Sequence, residues 1–156
     1  PIPAVVAGGT PTFPMPARRE GVDLSPGTTL LWDYGYSTSY PDLNYLLAAL
    51  LLTRVVSKPA TDLVCLDLGT KAVATEMPQP RVSLLGIGPY RIVGHNEEHL
   101  VIETADAGAF HLGDVVYAVP VHICPTVAKY EAASVIDQGR CTGEWRVAAR
   151  NRTITI

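Results

Sequence analysis

Charge is sparse in this chain and nowhere concentrated. Of 156 residues, 12 are Lys or Arg and 15 are Asp or Glu, giving a formal net charge of -3, and no long run carries one sign. That absence argues against a nucleic-acid surface or a polybasic membrane anchor, both of which need clustered cations. Long apolar runs are missing too: the longest, Tyr45 to Leu52, is far short of the roughly 20 residues that cross a bilayer as a helix. Cysteine is scarce. Cys65, Cys124 and Cys141 are an odd number at wide spacing, which fits reduced thiols in a cytoplasmic protein better than a disulfide framework. No basic region followed by an apolar core resembles a secretory signal, and without an initiator Met the start reads as internal.

An apolar fraction of 47% is present, enough for a genuine core in one ordinary domain, with or without an appended fragment. Small molecules or further copies of the chain are the partners such a composition suits. Ile2 to Ala7 is a short apolar run ending in Gly8-Gly9-Thr10 and reads as a buried strand entering a glycine-rich turn. Beyond Ser25-Pro26-Gly27, Thr28 to Trp32 reads as a second buried strand, broken at Asp33-Tyr34-Gly35-Tyr36. Two apolar strands joined through Gly-Gly match the closing strands of a parallel α/β barrel, of which only a fragment fits here. Tyr45 to Ser57 reads as a turn of helix passing into strand. Beyond Pro59 the chain has the pattern of an all-β domain. The expected strands are Leu63–Asp67, Lys71–Thr75, Arg81–Leu85, Tyr90–Gly94, Leu100–Glu103, Val115–Val119, Ala133–Asp137 and Glu144–Ala148. The expected fold is therefore mainly β, a barrel- or sandwich-like domain over 51–156 preceded by the end of a TIM-type barrel over 1–50.

The strongest chemical signal is His122-Ile-Cys124 between Pro120 and Pro125. An imidazole and a thiol two positions apart share one face of an extended segment, so both can reach one ion. Two ligands make half of a structural zinc site, and point to an open one. The competing reading is a half-buried His beside an inert Cys. Gly8-Gly9-Thr10 reads as a tight turn or as a phosphate cradle, since glycine lets backbone N–H groups approach an anion. Lys71 reads as a structural contact with Asp67 or a backbone cap. His95, Glu97, Glu98 and His99 read as a loop whose His99 bonds locally or across a subunit interface, the competing reading being a hairpin whose imidazoles add ligands to an ion held by His122 and Cys124. Cys141 reads as inert, Trp145 as core, and Arg146, Arg150 and Arg152 as rim charges on a terminal strand.

His122-Ile-Cys-Pro-Thr-Val, preceded by Leu112-Gly-Asp-Val-Val-Tyr and followed by Gly143-Glu-Trp-Arg-Val-Ala-Ala-Arg, resembles the C-terminal domain of the D-threonine aldolase and D-serine dehydratase family. These are fold-type III pyridoxal phosphate enzymes of the alanine racemase type. The resemblance runs from Gly8 through Arg152. It implies that His122 and Cys124 hold a divalent metal, with Cys124 favouring zinc because thiolate is a soft ligand. It also implies that Gly9 and Thr10, ahead of a Pro-Gly-x-x-x-x-x-Asp strand, touch the cofactor phosphate, with Tyr36 at the barrel rim bonding phosphate or lining the pocket. The Schiff-base lysine is expected on a first barrel strand with no counterpart here, so none of these residues is expected to be that lysine and the fragment alone is expected to be inactive. The implied reaction is cleavage or dehydration of a β-hydroxy-D-amino acid by a homodimeric enzyme. A racemase-like relative, or a non-catalytic β module stapled by a His/Cys metal site, is the alternative.

Overall fold

The computed structural model describes residues 2–151 and 153–154. Its centre is a six-stranded antiparallel sheet in the order β3-β6-β1-β2-β5-β4. The strands are β1 (Leu51–Ala60), β2 (Leu63–Leu66), β3 (Val82–Leu85), β4 (Tyr90–His95), β5 (Leu100–Thr104) and β6 (Val115–Pro120). β1 is the long strand that joins the two halves. Residues 51–54 pair with β6, while Val55 onward pairs with β2 through a shifted register that bends the strand. The sheet curls on itself, and the hydroxyl of Tyr90, on one edge strand, accepts a hydrogen bond from the Leu84 N–H on the other at 2.9 Å.

Alternation explains which residues fill the curl. Along β5, Leu100, Ile102 and Thr104 are buried and the residues between them are not, as a strand with one face on a core requires. With them pack Val55, Val64, Leu66, Leu68, Val73, Val82, Leu84, Val116 and Ala118. The mainly β reading of residues beyond 59 is therefore correct, with β2 through β6 close to their expected places. Lys71–Thr75 is the exception. It forms turns rather than a strand, because the Thr70 and Lys71 N–H groups bond the carbonyls of Asn96 and Glu97 instead of a ladder.

A separate hairpin, β7 (Ala132–Asp137) with β8 (Arg140–Arg146), follows. Every residue of β8 is exposed, so Trp145, expected in the core, stands 67% exposed. Arg146 instead lies within 3.8 Å of Glu131, and Arg152 falls outside the described residues.

The first fifty residues depart further from expectation. Ile2 to Ala7 is irregular and exposed as far as Val6, retaining one parallel bridge between Val6 and Asp23. The two buried strands expected over Ile2–Ala7 and Thr28–Trp32 are not formed, and that one bridge runs to Asp23 rather than to Thr28–Trp32. Thr28–Leu30 is a 3-10 helix. Its turn begins directly after Pro26-Gly27, and the Thr28 N–H is taken by the Thr10 hydroxyl at 3.0 Å. Trp32 ends this turn buried, its ring against Tyr36 and Tyr45. α1 (Tyr34–Ser39) follows. Residues 45–50 contain no helical turn and run without regular structure into β1. No helix among the described residues is long and apolar enough to cross a membrane.

Candidate metal centre

His122 and Cys124 lie where β6 ends. The expectation of an extended pair does not hold. His122 is still extended, with φ -133° and ψ 106°, but it caps α2 (Ile123–Val127), so Cys124 occupies a first helical turn. Pro125 permits this because the N–H it lacks would have had no partner inside the helix. The turn is held from three directions. The Thr126 hydroxyl, buried, donates to the His122 carbonyl at 2.7 Å and accepts from the Ala74 N–H at 3.1 Å. One oxygen of the buried Asp33 accepts from the Ile123 N–H at 3.0 Å, while the other caps α1 through the Tyr36 N–H at 2.8 Å. The Gly35 N–H bonds the Val121 carbonyl at 3.0 Å, a contact so close that a Cβ on Gly35 would meet that oxygen at 2.5 Å.

Each of the two sulfur- and nitrogen-bearing side chains has one partner from a distant segment. His122 Nδ1 lies 2.5 Å from Glu76 Oε1. Cys124, exposed at the surface, hydrogen bonds through Sγ with the Thr28 hydroxyl at 3.2 Å. Since the Thr28 N–H also donates to Thr10, the chain Thr10, Thr28, Cys124 is continuous. Burial alone would raise the Glu76 carboxyl, but its own backbone N–H, His122 and Lys129 together hold it below the usual carboxylate range. Tyr36 is held protonated: burial, then the charges of Asp33 and Cys124, push its phenol above the ordinary value.

Thr10 is buried and Gly9 exposed. The Gly9 carbonyl accepts from the Thr12 and Phe13 N–H groups. The N–H groups of Gly9 and Thr10 donate no hydrogen bond among the described residues. Of the five expected site residues, Thr10, Tyr36 and Cys124 are therefore brought to one neighbourhood, with His122 two residues along the same turn and Gly9 beside Thr10.

The other titratable candidates stay away. Lys71 does not meet Asp67 as expected; its partners are Glu97 at 3.2 Å and Glu98 at 2.5 Å. Asp67 instead takes the Thr53 hydroxyl and the Arg54 N–H. His95 bonds Gln79, and Cys141 is exposed beside the Gly143 carbonyl. Glu76, Thr28 and Asp33 were missed. Only Asp33 carried a local signal, that of an Asp preceding a helix start; the other two act across the chain.

The donor set can be tested against an ion. Among the described residues no group of three or more His, Cys, Asp or Glu side chains converges, so a closed structural site is not formed. One imidazole with an occupied Nδ1, beside one exposed thiol, suits an ion that keeps positions for water or substrate. The unengaged Gly9 and Thr10 N–H groups likewise suit an oxyanion.

Fold and site thus define a mainly β domain carrying an exposed His/Cys pair of metal-ligand type, docked against a glycine-threonine loop. The chain belongs to the family described as "Putative serine dehydratase domain", whose model matches residues 48–136, more than half of the chain. It is 32% identical over 119 residues to a D-threonine aldolase from Arthrobacter sp., an alignment covering 76% of this chain and 31% of that protein. The crystal structure of D-threonine aldolase from Filomicrobium marinum shares the fold, with a TM-score of 0.83 at 21% identity over 94% of this chain and 40% of that one. So does D-threo-3-hydroxyaspartate dehydratase from Delftia sp. HT23, with a TM-score of 0.73 at 23% identity over 94% and 44%. Matches to that dehydratase also include a histidine-to-alanine variant and the metal-free form of a cysteine-to-alanine variant, at positions two residues apart. The chain spans less than half the length of these relatives.

Proposed function

We propose that this chain is the C-terminal portion of a metal-assisted pyridoxal phosphate lyase acting on β-hydroxy-D-amino acids, with residues 1–50 completing the cofactor barrel and 51–156 forming the metal-bearing β domain. The observation that carries this reading is the continuous link Thr10, Thr28, Cys124, which ties the glycine-threonine loop to the His/Cys turn as one unit. The relatives support it, since the dehydratase whose metal-free form is known was altered at a histidine and a cysteine with the same spacing as His122 and Cys124.

In this reading His122 presents Nε2 and Cys124 a thiolate to a divalent ion, zinc by ligand softness. Thr28 then donates its hydroxyl proton to the sulfur. The Thr10 oxygen is engaged as an acceptor of the Thr28 N–H, so its own proton is available to a phosphate, together with the N–H groups of Gly9 and Thr10. Tyr36, kept protonated by its surroundings, serves as a further donor at the rim. When bound, the ion supplies Lewis acidity at the substrate β-hydroxyl, and pyridoxal phosphate an electron sink at the adjoining carbon.

The test is metal content by mass spectrometry on the purified chain. About one zinc per chain, absent from His122→Ala and from Cys124→Ala, is the expected result. Retention of zinc by both variants would sink the proposal. Activity toward D-threonine or a 3-hydroxy-D-amino acid is then assayed in the longest natural form of the protein.

A further inference from the structure

We infer that Glu76 is the positioning residue of the metal centre, holding the His122 ring so that Nε2 faces the ion. The inference rests on the metal reading above and deepens it. A neutral imidazole carries one N–H, and an ionised carboxylate has no proton to give. With Nδ1 at 2.5 Å from Glu76 Oε1, a neutral His122 ring places its one N–H on Nδ1, toward the carboxylate, and keeps on Nε2 the lone pair that a metal requires.

The contact is built rather than incidental. Segment 72–76 lies along 122–130 and is tied to it at two further points: the Ala74 N–H donates to the Thr126 hydroxyl at 3.1 Å, and the Tyr130 hydroxyl donates to the Ala72 carbonyl at 2.7 Å. Both anchors lie within four residues of Glu76, so its carboxylate arrives at His122 from a backbone already fixed. As a source of stability the pair counts for little. The two side chains are 37% and 45% exposed, and contacts between exposed polar side chains contribute little. What the pair does determine is which nitrogen carries the proton and which way the ring points.

Two readouts test this. In the zinc-free chain, nitrogen NMR of the imidazoles is expected to show His122 as the Nδ1–H tautomer, and Glu76→Ala to shift it toward Nε2–H. Zinc affinity, measured by competition with a chromophoric chelator, is expected to fall about 10- to 100-fold in Glu76→Ala, with circular dichroism unchanged. Glu76→Gln keeps an acceptor oxygen at the same reach, so it should restore the tautomer and part of the affinity. Persistence of the Nδ1–H tautomer in Glu76→Ala would overturn the inference. A zinc site that His122→Ala abolishes but Glu76→Ala leaves at full affinity would overturn it alone. A wild-type chain that takes up no zinc, or zinc uptake indifferent to His122→Ala, would remove the metal reading and this inference together.

Discussion

Asp33 shows how much of the site depends on a residue that touches neither ligand side chain. Its two oxygens serve two backbone donors, the Tyr36 N–H at the start of α1 and the Ile123 N–H at the start of α2, while the side chain is almost wholly buried. Removing it exposes both donors at once. Losing an N-cap costs about 1 kcal/mol, and leaving a buried N–H unpaired about 1–3 kcal/mol. Asp33→Ala is therefore expected to lower unfolding free energy by roughly 2–4 kcal/mol in chemical denaturation, with Asp33→Asn falling between it and wild type. A cost near zero would mean that the two helices hold together without the carboxylate.

At the scale of elements, the His/Cys turn is a short helix fastened to a second short helix, and neither is long enough to persist alone. Their junction is the approach of Gly35 to the Val121 carbonyl. Gly35→Ala puts a Cβ 2.5 Å from that oxygen, too close to tolerate, so α1 must move away and carry Trp32 and Tyr36 with it. In a Trp145→Phe background, where Trp32 is the remaining tryptophan, the buried indole is expected to shift its emission to longer wavelength while the β-sheet signal in circular dichroism persists. Unchanged emission would show that the junction yields without moving α1.

Element by element, legibility in the sequence followed periodicity. β2 to β6 could be read because their apolar residues alternate or run unbroken toward one core, and β5 shows the pattern directly in Leu100 and Ile102. Thr28–Trp32 has the same apolar composition and still became a 3-10 turn, because Thr10 captures its first N–H and the neighbouring strand it would need is not beside it. Trp145 was misread for a related reason: aromatic bulk says nothing about whether a hairpin packs on the main sheet or stands off it.

The whole molecule should respond to acid through His95. That imidazole is half-buried at the end of β4; burial first, then the Arg81 charge, lower its pKa below the ordinary 6.5, while the backbone of Leu68 and Gly69 pulls weakly the other way. Among the described residues its enclosed Nε2 has no hydrogen-bond partner. The native state thus prefers the neutral ring, and the unfolded chain takes up a proton first. Stability from this group is fully present above pH 6.5 and is lost as the pH falls from there toward the depressed native value. The thermal midpoint is expected to drop as the pH is lowered below 6.5, and His95→Gln to flatten that decline. An unaltered slope in the variant would assign the acid sensitivity elsewhere.

Sequence alone determined the mainly β character, the apolar strands of the core and the residue types of the site, because alternation, turn residues and the His-x-Cys spacing are local and survive in one dimension. Tertiary structure decided what surrounds those residues. Glu76 meets His122 across 46 residues, Asp33 meets Ile123 across 90, and Thr28 meets Cys124 across 96. Such pairs leave no spacing rule in the chain, since their separation is set by how the sheet curls and where its connections return. The metal-ligand types were therefore written locally, and the geometry that holds them came only with the fold.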